Sequence, residues 1–487
     1  MKNIIMFMVD QLSAKWLEIA IKDEVCPLPN IKNLMENGTY FSKAISNNPV
    51  CCPARATIAT GLTDRKHAVI ENFIELDTSL DTFMKQLQKN NYTTGAFGKL
   101  HFISHSVTLH PQNEVYGFDV THITEDDRGG EWLDWIIEEH PEYLDDVLAT
   151  IWNSSNEEFK CYGKDKLNLT DRIAKIRKSY DWKTENCPLN TQASYTHKFP
   201  KELSQTEWIT SKALDFLSDE SIKSPIFTQI SYVQPHGPRN LPEEYLQYVD
   251  ESKLPIPAET EWLTDENTPN YYKEIKENTK NNKMYDRKCY FADLVHLDEQ
   301  LGKVVQKLKD TNRFKESVIV FLADHGDLLG DHGAYGKGNK HYDACIRIPL
   351  IISGAGLGKR KIHDGFVQHE DICPTMLELG ECESDREFYG KSLVGICKGT
   401  DTTSRNYAYT ESYSGARASG YANWCKTILD HQFRYTYYAD FSGEQLFDLK
   451  NDVNEQTNLA KDEKYAEIKQ NLKNVLLEYI VKQDNSK

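Results

Sequence analysis

The sequence predicts an α/β protein, a large doubly wound mixed sheet flanked by helices, followed by a smaller C-terminal antiparallel sheet with one helix. Three observations lead there. Short apolar runs that end at polar or charged residues alternate with amphipathic, helix-length stretches over the first 404 residues. The 487-residue length suits one large domain plus a small one. From about residue 405 the pattern changes to short alternating segments and then one closing helix.

Ile4 to Val9 is an apolar run delivered directly to Asp10-Gln11, the pattern of a buried parallel strand that presents a residue at its C-terminal edge. Pro29-Asn30 opens a helix with Ile31, Leu34 and Met35 on one face. Leu80 to Leu87 is expected to be an amphipathic helix and Thr93 to Phe97 a strand. Residues 120–200 break this rhythm and are expected to form an insertion near the mouth of the site; 240–285 form a second irregular, charged region. Between them, Trp208 to Leu217 is helical, and the strand Ile226 to Val233 ends in Gln234-Pro235-His236-Gly237-Pro238. A long helix from about Tyr285 to Lys309 precedes the strand Ser317 to Leu322, which leads into Asp324-His325-Gly326. Beyond residue 405, Phe433 to Tyr438 is a strand and Tyr465 to Lys482 a helix. The expected division is therefore a catalytic unit over 1–404 and a small subdomain over 405–487. Such a fold places its site at the strand C-termini.

Bulk properties narrow the function. A net charge of −17 argues against nucleic acid as a partner, because phosphate binding needs clustered cations. No run of eighteen apolar residues is present, so no membrane span is expected. Lys2 is the only early cation and the first apolar run has no small-residue cleavage site, which gives the expectation of a cytoplasmic protein. Eleven cysteines without disulfide or metal-type spacing fit a reducing compartment, with Cys289, Cys345 and Cys373 as small core residues. Oligomeric state stays open.

The chemistry concentrates in four segments. Pro49-Val50-Cys51-Cys52-Pro53-Ala54-Arg55 leads into Thr60-Gly61; Gly98-Lys99-Leu100-His101 follows a strand; Asp324-His325 opens a stretch that ends at Lys337; and His236 lies between two prolines. The Cys-x-Pro-x-Arg run closely resembles the signature of the type I, formylglycine-dependent sulfatases of the alkaline phosphatase superfamily. Gly-Lys-x-His resembles the second signature of that family. The resemblance covers nearly the whole chain, including Glu444-Gln445-Leu446-Phe447-Asp448-Leu449 near the C-terminus.

That resemblance implies a sulfuric ester hydrolase acting on a sulfate monoester of a small sugar or aryl compound. A maturation partner, either a formylglycine-generating enzyme or an anaerobic sulfatase-maturating enzyme, would oxidise Cys51 to formylglycine. Asp10, Gln11, Cys51, Asp324 and His325 would hold one divalent metal ion. Its oxygen-dominated donors suit calcium, and the imidazole admits manganese or magnesium. Arg55, Lys99 and Lys337 would offset the charge on the sulfate oxygens. His236 would protonate the leaving alcohol, and His101 would act on the hydrated aldehyde when sulfate is expelled.

Two alternatives accompany this reading. Pro53-Ala54-Arg55 and Val9-Asp10-Gln11 also resemble the phosphonate monoester hydrolases, which act on phosphonates and phosphodiesters; Lys99 and His101 favour the sulfatase. The other alternative is a noncatalytic anion-binding relative. Trp132, Trp135, Trp152 and Trp182 are candidates to stack on a sugar or aryl group, or to pack inside the insertion.

Overall fold

The computed structural model describes residues 1–487 except 105–106, 155, 181–193, 261–267, 269–282, 360, 414–423, 440–442 and 486–487. Trp182 lies outside the described residues. The strands in chain order are β1 (Asn3–Val9), β2 (Gly38–Ile45), β3 (Thr93–Gly98), β4 (Val120–Ile123), β5 (Ser194–Thr196), β6 (Ile226–Tyr232) and β7 (Arg239–Leu241). They continue with β8 (Ser317–Ala323), β9 (Arg347–Ile348), β10 (Leu350–Gly354) and β11 (Lys361–Gln368). The last four are β12 (Ala408–Ser412), β13 (Cys425–Leu429), β14 (Phe433–Tyr438) and β15 (Glu444–Asp448).

Nine strands form one mixed sheet in the order β11-β2-β10-β8-β1-β6-β3-β4, with β9 paired to β2. The central strands β8, β1, β6, β3 and β4 are mutually parallel, and β10 runs antiparallel to both its neighbours. Both faces of β1 are covered, so Ile4 through Val9 read as an unbroken apolar run and are 0–1 % exposed. Phe7 is the centre of this layer, stacking on Phe321 of β8 at 5.6 Å and meeting Tyr232 of β6 at 4.9 Å.

Register decides where the chemistry collects. Val9 pairs with Ala323 and with Tyr232, Gly98 pairs with Ser231, and Ile123 pairs with Gly98. Within this run of five parallel strands, β1, β8, β3 and β4 thus release the chain at one edge, just before Asp10, Asp324, Lys99 and Thr124-Glu125-Asp126. Gly98 makes the exit beside Lys99 possible. Its φ is +92°, and a Cβ there would lie 2.1 Å from the Ser231 carbonyl oxygen.

The helices differ from expectation mainly at their caps. The helix expected from Leu80 runs over Phe83–Lys89, because Thr82 caps it by accepting from the Lys85 N–H at 3.3 Å. Ser204 likewise starts the Gln205–Ser218 helix ahead of Trp208. The long helix spans Lys283–Asp310. Residues 120–200 are more regular than their composition suggested. They open with the edge strand β4 and continue with helices Glu131–Glu139, Leu144–Thr150 and Leu169–Ser179, whose cores hold Trp132, Val147, Leu148 and Ile173.

β12 to β15 form a separate antiparallel sheet in that order. The Ala466–Asn485 helix covers it, packing Leu472 and Leu476 onto Tyr409, Ile428, Tyr435 and Leu446. This sheet reaches the loop ahead of Cys51 through a backbone bond from Glu411 N–H to the Asn47 carbonyl, 2.8 Å. No helix among the described residues is long and apolar enough to cross a membrane. The ten described cysteines are free thiols; Cys289, Cys345 and Cys373 are fully buried, as expected of core residues.

Candidate active site

Cys51 is the first residue of a ten-residue helix, Cys51–Thr60, that is buried along its whole length. Small residues on the helix (Ala54, Ala56 and Ala59) let it sit close against its neighbours, and Gly61 ends it in the left-handed conformation, φ +67°. Cys51 therefore arrives at the sheet edge on a fixed element rather than on a loop.

Its surroundings are cationic. Lys337 Nζ lies 2.6 Å from Cys51 Sγ and His325 Nε2 lies 3.3 Å away. Burial alone would raise the thiol, but Lys337, Lys99 and His325 outweigh it and hold Cys51 well below its ordinary value. His101 faces Cys51 and Cys52. Burial opposes its charge, yet the Cys52 sulfur and the hydrogen bonds its ring donates to both cysteine sulfurs raise it well above the usual imidazole value. Gln11 and His101 both adopt left-handed backbone angles, φ 62° and 56°, conformations that non-glycine residues keep where the surrounding structure over-determines them.

Asp10, Cys51, Asp324 and His325 bring one donor atom each to within 4.8 Å of one another, and all four are buried. The set fits a divalent cation on two grounds. Asp10 Oδ1 is buried and accepts no hydrogen bond. Asp10 is also raised from its ordinary value, first by burial and then by the adjacent Asp324 and Cys51 charges, a repulsion that a cation would relieve. Asp324 is held ionised against its burial by His325 and Arg55. Gln11 lines the same cleft. Its backbone N–H donates to Asp324 Oδ1 at 3.0 Å and its amide nitrogen donates to Asp327 Oδ2 at 2.6 Å, so the amide oxygen is the atom left for a cation.

Arg55 ties three strand ends together. Its Nε donates to Asp324 Oδ2 at 2.8 Å, and one terminal nitrogen donates to the Lys99 carbonyl at 2.8 Å and to Ser231 Oγ at 3.0 Å. Lys99 is fully buried between the carboxylates of Asp10 and Asp126. His236 lines the cleft with Nδ1 2.6 Å from the Gly237 carbonyl, which assigns the N–H to Nδ1. A ring nitrogen of His236 shares a 4.8 Å cluster with Asp10, Cys51 and Asp126. The cleft has a volume of about 390 Å³ and is completed by Asn72, Phe73, Trp152, Asn153, Tyr335, Gly336 and Lys340.

The structure thus gathers Asp10, Gln11, Cys51, Arg55, Lys99, His101, His236, Asp324, His325 and Lys337 around one point. Sequence reasoning missed Asp126. The signal existed, since β4 releases the chain into Thr124-Glu125-Asp126 as β1 releases it into Asp10, but four residues of Val-Thr-His-Ile are too weakly apolar to read as a sheet strand. Of the tryptophans, only Trp152 borders the cleft among those described. Trp132 is fully buried, and Trp135 packs on the core and against His140 at 4.6 Å.

Comparison with known proteins agrees with this geometry. The family described as "Sulfatase" matches residues 2–381, and "N-sulphoglucosamine sulphohydrolase, C-terminal" matches residues 330–482. An arylsulfatase of Clostridium perfringens is 25% identical over 98% of this chain and 93% of its own length. A choline-sulfatase of Rhizobium meliloti is 26% identical over 94% of this chain and 82% of its own. Among solved structures, a phosphonate monoester hydrolase of Agrobacterium radiobacter superimposes with a TM-score of 0.80 at 22% identity, covering 99% of this chain and 96% of that one; it shares the fold. With a family match over most of its length and a buried Cys/Asp/His cluster at the strand ends, this chain belongs to the sulfatase family, hydrolases that act on sulfate esters.

Proposed function

We propose that the chain hydrolyses a sulfate monoester of a small sugar or aryl alcohol, using a formylglycine made from Cys51 and one divalent cation. The observation that carries this reading is the position of Cys51 Sγ, 2.6 Å from Lys337 Nζ and 3.3 Å from His325 Nε2 at the head of a buried helix. A nucleophile there meets both the anion-binding cations and the metal donors. Asp10, Asp324, His325 and the Gln11 amide oxygen would hold the cation, and their mainly oxygen character suits calcium, with manganese or magnesium as competitors. The cation supplies Lewis-acid stabilisation of negative charge, and the formylglycine supplies a hydrated carbonyl as nucleophile.

The chain's own residues supply the rest. Lys337 and Lys99 neutralise charge on the nonbridging sulfate oxygens. Arg55 fixes the ends of β3, β6 and β8 relative to Cys51. His236 has Nδ1–H bound to the Gly237 carbonyl, which leaves Nε2 to deliver a proton to the departing alcohol oxygen. His101, against Cys51, is the base for the proton released as sulfate leaves; conversion of Cys51 to formylglycine removes one of the two sulfurs that favour its protonated ring.

A second reading, hydrolysis of a phosphonate monoester or phosphodiester, draws on Pro53-Ala54-Arg55 and Val9-Asp10-Gln11. Rates on matched aryl sulfate and aryl phosphonate esters separate the two. The primary test is the mass of the tryptic peptide 44–55 from protein co-produced with a maturation enzyme. The expected result is a species lighter than the cysteine form, trapped by an aldehyde reagent and absent in Cys51→Ala. A persistent intact thiol would overturn the mechanism and favour a noncatalytic anion binder.

A further inference from the structure

Asp126 is a carboxylate in a cleft built to hold an anion. It follows the edge strand β4, is 4 % exposed, and borders the cleft beside His236. One of its oxygens lies within 4.8 Å of Cys51 Sγ, of Asp10 and of a His236 ring nitrogen. Its loop is pinned by Trp152, whose indole N–H donates to the Asp126 carbonyl at 2.6 Å. The carboxylate itself binds Lys99, and Lys99 also binds Asp10. One of the two lysines at the nucleophile is therefore shared by two enzyme carboxylates before any substrate enters.

This arrangement has an unequal effect on tetrahedral esters of different charge. A sulfate monoester is a monoanion. A phosphate monoester above its second pKa, about 6, is a dianion with nearly the same size and shape. Hydrogen bonding and sterics separate them poorly, whereas a fixed negative charge repels the dianion about twice as strongly. At a separation of 4–5 Å and an effective dielectric near 20, one extra unit of charge corresponds to a discrimination of at most about a thousandfold.

We infer that Asp126 is a selectivity residue that sets the charge of the accepted ester, admitting monoanionic sulfate esters and excluding dianionic phosphate monoesters. The inference rests on the proposed cleavage of a monoanionic ester at Cys51. It applies equally if that ester is a phosphonate, which is also a monoanion. The same repulsion assists departure of the dianionic sulfate product.

The test compares phenyl sulfate with phenyl phosphate on the matured, metal-loaded enzyme and its Asp126→Asn and Asp126→Glu variants. Asp126→Asn keeps an acceptor for Lys99 and removes the charge; Asp126→Glu keeps the charge. The expected result at pH 8 is a rise of at least tenfold in the phosphate-to-sulfate ratio of kcat/KM for Asp126→Asn, with Asp126→Glu at the wild-type ratio. At pH 5, where phenyl phosphate is largely a monoanion, the rise falls below threefold. A parallel loss on both esters with an unchanged ratio at pH 8, or identical ratios for the Asn and Glu variants, would overturn the inference and leave Asp126 only a support for Lys99. Calorimetric binding of the two esters to unmodified protein, wild type and Asp126→Asn, gives the same ratio without turnover. Absence of turnover in matured wild type would count against the proposed reaction, while the binding ratio still decides the role of Asp126.

Discussion

Lys337 Nζ sits 2.6 Å from Cys51 Sγ although 286 residues separate them. The contact is made by two rigid parts. Cys51 opens a buried helix, and the segment before Lys337 is held by Asp327, whose Oδ1 accepts the backbone N–H groups of Leu329 at 2.8 Å and Gly336 at 2.6 Å. Lys337 is thus preorganised toward the nucleophile rather than recruited by substrate, the condition under which a cation stabilises a transition state most.

Lys337→Ala is accordingly expected to lower kcat of the matured enzyme on an aryl sulfate by about 10²–10³-fold, with a smaller change in KM. Steady-state kinetics at saturating metal is the check. A kcat within threefold of wild type would remove Lys337 from the reacting centre.

The crowding of Asp10, Asp324 and Cys51 makes cation binding a folding term as well as a catalytic one. Wild-type Tm should fall on dialysis against a chelator and rise with added calcium, by about 2.7 kcal/mol of stability at a hundredfold excess over Kd. Asp10→Asn and Asp324→Asn should show a flat Tm over the same titration. Repeating the series with manganese and magnesium identifies the preferred ion. A wild-type Tm that ignores all three metals would reject the site.

Asp293 predicts a pH dependence of stability away from the reaction. It lies fully buried in the Lys283–Asp310 helix with neither oxygen hydrogen-bonded, and burial pushes it up to about 7 despite Arg239 and Arg128. The folded state therefore holds a proton that the unfolded chain releases near 3.8. That contribution is fully present below about pH 4 and is lost as pH rises to about 7, an order-of-magnitude effect of up to about 4 kcal/mol. Asp293→Asn removes the loss. Its Tm should exceed wild type at pH 8, with the gap narrowing toward pH 5; a gap that is constant across this range would show that Asp293 does not titrate there.

Much of this was legible in the sequence because the chemistry lies where apolar runs stop. Asp10 and Asp324 each follow a fully buried strand, and the Val9–Ala323 register makes them neighbours. The Cys51 and Lys99 motifs mark their own positions. What stayed hidden depends on register and tertiary contact. Asp126 reaches Lys99 only because β4 pairs with β3, and β4 is an edge strand whose first three residues are half-exposed and carry little apolar signal. The caps at Thr82 and Ser204 moved helix starts for a local reason, side-chain acceptors that replace the missing helical partners. Composition could not distinguish a tryptophan in a core from one at a cleft, since both satisfy the same burial preference for most of the ring.

Trp132 and Trp152 make that distinction measurable. Trp132 is fully buried and donates its indole N–H to the Leu203 carbonyl at 2.9 Å; Trp152 is half-buried and borders the cleft. Trp132→Ala opens a cavity and should cost about 3–5 kcal/mol of stability, read as a large fall in Tm, with the kinetics of the remaining folded protein little altered. Trp152→Ala should leave Tm within a few degrees of wild type and raise KM for aryl sulfates by about tenfold, the order of one lost stacking contact. Trp152→Phe keeps a ring and loses the bond to the Asp126 carbonyl, so it separates stacking from loop support. A KM near wild type for Phe but not for Ala assigns Trp152 to the substrate ring. Equal defects in both variants would assign it to holding Asp126 in place.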